Sequence, residues 1–155
     1  MNPDDGGTAK SPEREDGLRG VLLLDPDEAA RRALTRGLER RGFAVIPAAD
    51  EEQARAGLAQ GGIHVVVTSV PVAPYTEFQW LLRLAELWPG GLICVLASDR
   101  RTAGMLRGRP GWRVIAKPVA APELADVLDT MLAGRRWSLA ELRGRRAGGA
   151  SDPRP

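Results

Sequence analysis

Between Gly20 and Ala133 the chain alternates between two kinds of segment, and that alternation restricts its fold more than any other feature. One kind is short and continuously apolar: Val21-Leu22-Leu23-Leu24, Phe43-Ala44-Val45-Ile46, Val65-Val66-Val67, Leu92-Ile93-Cys94-Val95-Leu96 and Val114-Ile115-Ala116. Runs of this length bounded by turn residues read as strands, and the lack of polar alternation requires cover on both faces, as in a parallel sheet between helices. The other kind has helical period. Ala30, Ala33, Leu34, Gly37 and Leu38 fall at i, i+3, i+4, i+7 and i+8, and Leu124, Val127, Leu128, Met131 and Leu132 repeat the spacing. Asp50 with Gln53, and Thr76 with Gln79, have capping-box spacing, while Pro122 suits a first helical turn. Helices are expected at 28–41, 50–60, 76–88, 99–107 and 121–133. Five β/α units make a doubly wound open α/β sheet, which binds ligands at the carboxyl ends of its strands.

The 155 residues suffice for one domain, expected over 19–134, with an acidic tail at 1–18 and an arginine-rich tail at 135–155. The tails lack periodicity and read as disordered, apart from a short basic helix suggested by the spacing of Ser138 and Glu141. The polar, acidic start does not resemble a secretory leader and no apolar stretch has membrane-spanning length, so a cytoplasmic protein with no membrane partner is expected. Cys94 and His64 are the only cysteine and histidine, which excludes an intrachain disulfide and a Cys/His metal cage. A net charge of +2 does not call for nucleic acid. Lys10 and Lys117 are the only lysines among 22 basic residues, and Lys117 stands out against that habit.

The strand ends carry Asp25-Pro26-Asp27 after the first strand, Thr68-Ser69-Val70 after the third, Ala97-Ser98 after the fourth and Lys117-Pro118 after the fifth. An acidic cluster after strand one and a Lys-Pro after strand five, on five β/α units, resemble the layout of the response-regulator receiver family, over about residues 19–134. The resemblance implies a flavodoxin-like fold, with a cis peptide before Pro118. It also implies a site in which an aspartate ending strand three accepts a phosphoryl group, an acidic pair after strand one holds Mg²⁺, and a Ser/Thr, a lysine and an aromatic relay the change.

Set against that layout, most parts are missing. The acceptor position falls on Ser69, or at most one residue away, and no Asp or Glu occurs between Glu52 and Glu77, so no shift of register restores a carboxylate. Asp25 is present, but the place of the direct metal ligand is Pro26, and Asp27 is one residue late. Ala97 stands at the Ser/Thr switch position with Ser98 beside it, and Val114 stands at the aromatic switch position. Only Lys117 and Pro118 match.

Each of these residues also has a plain structural reading. Lys117 is expected to pair with Asp25 or Asp27, Asp27 to cap a helix, Ser98 to cap the next one, and Ser69 to bond loop backbone. Ser69 is no hydrolase nucleophile, because His64 lies at the opposite end of its strand, about 16 Å away. Cys94 reads as a small buried hydrophobe. Trp88 caps the core edge or joins a contact surface. The expected function is that of a degenerate receiver, not an enzyme, regulating by contact with another signalling protein or a second copy of itself. Its docking face is expected at helix 99–107, strand 114–116 and helix 121–133. No cofactor is expected, beyond Mg²⁺ held weakly by Asp25 and Asp27. The alternatives are a working phosphorelay receiver with Asp25 or Asp27 as acceptor, and a nucleic-acid accessory protein acting through the arginine-rich tail.

Overall fold

The structure, a computed structural model, describes residues 19–98, 101, 104, 108 and 110–133. The elements run β1 (Gly20–Leu24), α1 (Glu28–Arg40), β2 (Ala44–Ala48), α2 (Glu51–Gln60), β3 (Val65–Ser69), α3 (Glu77–Leu87), β4 (Leu92–Ala97), β5 (Trp112–Ala116) and α4 (Ala121–Ala133). The expected helix at 99–107 and both tails lie largely or wholly outside the described residues. The five strands form one parallel sheet in the order β2-β1-β3-β4-β5.

Every residue of β1, β3 and β4 is buried, as continuously apolar central strands require. The two edge strands depart from that expectation. Ala44 and Pro47 of β2, and Arg113 and Ala116 of β5, are exposed, because an edge strand has a neighbour on one side only. Pro47 cannot donate to a ladder, and β2 takes it at the outer edge. Successive strand residues point to opposite faces. One set, with Leu22, Leu24, Val66, Ile93 and Val95, packs with Ala54, Trp80, Leu81 and Leu84 of α2 and α3. The other, with Val21, Leu23, Val65, Val67, Cys94 and Leu96, packs with Leu34, Leu38, Leu124 and Leu128 of α1 and α4.

The caps set where the helices begin. The Asp27 Oδ1 accepts from the N–H groups of Ala29 and Ala30, Asp50 accepts from Gln53, and Thr76 with Gln79 forms the complete capping box.

At the amino-terminal edge, the Gly20 N–H donates to His64 Nδ1 at 3.2 Å, and the His64 N–H donates to the Gly20 carbonyl at 2.8 Å. His64 is therefore a buried structural residue at the edge remote from Ser69. Trp80 and Trp88 are both core residues. Trp80 Nε1 donates to Thr68 Oγ1 at 2.9 Å and Trp88 Nε1 to the Leu92 carbonyl at 3.1 Å. The Trp88 indole lies across Gly91, where a Cβ would fall 2.0 Å from its Nε1, so glycine is required there. The outward apolar residues of α3 are instead Phe78 and Leu82, 52% and 51% exposed.

Candidate functional site

Parallel pairing brings the sequence-selected residues to one rim. Leu24 pairs with Thr68, which sets Asp25 level with Ser69; Ser69 pairs with Leu96, Leu96 with Ile115, and Ala97 with Ala116. Asp25 and Ser69 have the parity of Leu23 and Val67, so both face α1 and α4 from neighbouring strands. Lys117 continues the parity of Ile115 on the same side, one step further out. Asp25, Ser69 and Lys117 thus share one side of the rim. Their surroundings do not reproduce the expected contacts.

Asp25 is buried, its Oδ1 accepts from the Asp27 N–H at 2.9 Å, and its carbonyl accepts from Arg31 Nη1 at 2.8 Å. Asp27 is exposed and caps α1, as its place before the helix predicts. Lys117 departs from its expectation: it is exposed and makes no ion pair with Asp25, Asp27 or any other described carboxylate. The physical reason is that Asp25 turns back onto the Asp27 amide and Asp27 onto the start of α1. Ser69 departs too. It is 1% exposed, yet its Oγ has no hydrogen-bond partner, so it does not bond loop backbone. Its neighbour Thr68 takes that role, accepting from Trp80 and donating to the Ser69 carbonyl at 2.9 Å.

On the opposite side of the rim, Ala97 is fully buried and Val114 packs partly buried against the α2/α3 core, leaving neither a hydroxyl nor a ring at the switch positions. The helix that Ser98 is expected to cap lies largely outside the described residues; within them, the Ser98 Oγ donates to Glu77 Oε2 at 3.0 Å. Glu77, the first residue of α3, thereby brings a carboxylate to the end of β4 that the strand-end sequence gives no hint of. The usable signal was its place directly after the Thr76 cap, because helices start at this rim. The Lys117–Pro118 peptide is cis, as the resemblance implies.

A second group also escaped sequence reasoning. Glu51, at the start of α2, accepts from Tyr75 Oη, Arg55 and Arg83, tying α2 to the loop after β3 and to α3. Partial burial pushes the Glu51 carboxyl up, but the hydrogen bonds from Arg55, Arg83 and Tyr75 outweigh it and hold the group below the usual carboxylate range. A carboxyl lowered in the folded state contributes stability above its unfolded pKa and loses it as pH falls through the folded value. Glu51→Gln should therefore flatten the acid limb of a stability-versus-pH curve below about pH 4.5. An unchanged acid limb in urea titrations at stepped pH would refute this. Cys94 bears out its reading: burial pushes the thiol up to about 12, which makes it inert as a nucleophile.

The residues present fit a divalent cation poorly. One oxygen of Asp25 is taken by a backbone N–H, Asp27 is committed to its cap, and Pro26 offers no side-chain ligand. Among the described residues no three His, Cys, Asp or Glu side chains gather as a metal site.

No family model and no curated protein sequence matches the chain. Solved structures do. A response-regulator receiver domain protein from Clostridium thermocellum superposes with a TM-score of 0.66 at 18% identity, covering 76% of this chain and 96% of that one. A receiver domain of a Francisella response regulator gives 0.64 at 17% identity, covering 75% and 98%. A Burkholderia pseudomallei response regulator, solved with a phosphorylated aspartic acid and a calcium ion, gives 0.61 at 24%, covering 75% and 69%. No described helix is long and apolar enough to cross a membrane. With the strand order, the shared rim and these superpositions together, the chain has the fold of the response-regulator receiver domains.

Proposed function

We propose that this chain is a receiver domain of two-component signalling that works without being phosphorylated, as a cytoplasmic module that binds another signalling or regulatory protein. The observation that carries the reading is Ser69. At the strand-three end the chain offers a buried alcohol in place of a carboxylate, and the chain's one imidazole, at the far edge of the sheet, is in no position to activate it. The metal site is dismantled along with it. Asp25 and Asp27 are poor substitutes as acceptors, since each already spends a carboxylate oxygen on backbone N–H groups.

The test is incubation of the full chain with acetyl phosphate and Mg²⁺, read by intact mass. No covalent phosphate is expected. An adduct of one phosphoryl group would sink the proposal and favour the phosphorelay alternative, as would beryllofluoride perturbing the Asp25 and Ser69 amides. Docking through β5, α4 and the segment between β4 and β5 is the proposed mode, and that segment lies mostly outside the described residues. The arginine-rich tail invoked for nucleic-acid binding lies outside them entirely, and nothing described favours that role.

A further inference from the structure

Helix α1 ends where the acidic segment 1–18 enters the domain. The Arg19 carbonyl accepts from the Ala44 N–H at 3.0 Å, its guanidinium lies 3.9 Å from the centre of the Phe43 ring, and a Cβ on Gly42 would fall 3.5 Å from its Nη1. Arg19 is thereby set against the turn that follows Arg41. The charges on the two sides of that junction are opposite. Residues 28–41 hold five arginines against Glu28 and Glu39, and residues 1–18, outside the described residues, hold five acids against Lys10 and Arg14. Three of the arginines are engaged: Arg31 donates to the Asp25 carbonyl, Arg32 pairs with Glu28, and Arg41 pairs with Asp126 and Asp129. Arg36 and Arg40 are exposed and take part in no described ion pair. They stand one turn apart on the same helix face, about 6 Å along the axis.

We infer that the acidic segment folds back along α1, with Glu13 and Glu15 on Arg36 and Arg40, and shields this face from other anions. The spacing fits. Alternate residues of an extended chain point the same way and lie about 6.6 Å apart, close to the one-turn spacing of the two arginines. The reach also fits: Glu15 and Glu13 lie four and six residues before Arg19, within about 14 and 21 Å of it when extended. Water already solvates an exposed arginine, so no single pair decides the outcome, and one such pair is worth at most about fivefold. The tether favours this occupant over a free anion, because a segment joined beside its site acts at an effective concentration on the order of millimolar. Two features oppose it: the α1 dipole is negative at this end, and Glu39 adds a like charge beside the row. Asp126 and Asp129, the acids facing from α4, are already held by Arg41 and Arg19. The contact is therefore expected to be reversible and to weaken with salt. It is independent of whether the rim is phosphorylated.

The test is paramagnetic broadening in the full chain. Cys94 is buried with its thiol pushed up to about 12, so in Ala9→Cys the introduced thiol alone takes a nitroxide label. The relaxation enhancement at the Arg36 and Arg40 amides is expected to be at least about threefold larger at low salt than in about 0.5 M NaCl. It should fall by a similar factor when the label is combined with Glu13→Gln and Glu15→Gln, or with Arg36→Gln and Arg40→Gln. Glutamine matches arginine as a helix former, so the second pair of changes leaves α1 in place. An enhancement that is the same with and without these charges overturns the inference, since a tether without contact gives that result. So does an enhancement that survives high salt undiminished. A mixture of labelled chain and isotope-enriched unlabelled chain provides the last arm: broadening there shows that α1 takes the segment of a second copy, and overturns the intramolecular contact.

Discussion

Ser69→Asp, which restores the missing carboxylate, should still take up phosphate from acetyl phosphate at least about 10²-fold more slowly than an intact receiver domain. The reason lies next door. Phosphoryl transfer to a carboxylate needs a cation over the developing charge, and the residues after β1 are poor ligands for one: Pro26 has none, Asp27 is bound to the first turn of α1, and one oxygen of Asp25 is taken by the Asp27 amide. The check is a time course of phosphorylated mass with and without Mg²⁺, and strong Mg²⁺-dependent labelling of the variant would overturn the account. Pairing Ser69→Asp with Pro26→Asp should recover more label than either change alone.

Trp80→Ala is expected to cost about 3–5 kcal/mol, a large part of the roughly 5–15 kcal/mol that holds a domain together. Trp80 is fully buried at the centre of the α2/α3 core, so truncation leaves a cavity. It also strips Thr68 Oγ1 of its donor beneath the rim. Trp80→Phe refills most of the volume but not the N–H, and should recover all but about 1–2 kcal/mol. Urea denaturation of the two variants separates the terms. Equal destabilisation by both would show that the hydrogen bond, not the volume, dominates.

Much of the fold was legible because burial acts residue by residue. Three central strands with no polar interruption up to their ends had to be interior, and their parity then fixed which residues met α1 and α4 and which met α2 and α3. That the segment from 53 to 76 holds no carboxylate was legible for a different reason: an absence of Asp and Glu over a whole segment holds in any register. What could not be read were pairings between distant parts of the chain. Lys117 looked like the partner of the nearest acids, but a shared strand-end rim says nothing about where a carboxylate's own backbone turns it. Glu51 meeting Tyr75 and Arg83, and Glu77 meeting Ser98, depend on the angle at which helices settle on the sheet. Trp88 was ambiguous because an indole at a helix end suits either a core or a surface, and only Gly91, by leaving room for the ring, decides for the core.

The Trp80–Thr68–Ser69 contact has a practical corollary. An indole N–H that donates to a hydroxyl, which in turn donates to the carbonyl of the rim serine, is an optical reporter wired to the site from below. Displacement at the end of β3 lengthens or bends that bond and changes the polarity felt by a chromophore otherwise sealed from water. Occupancy of the rim is thus expected to be visible in the intrinsic emission of the untouched protein, with Trp80→Phe as the control that darkens the signal.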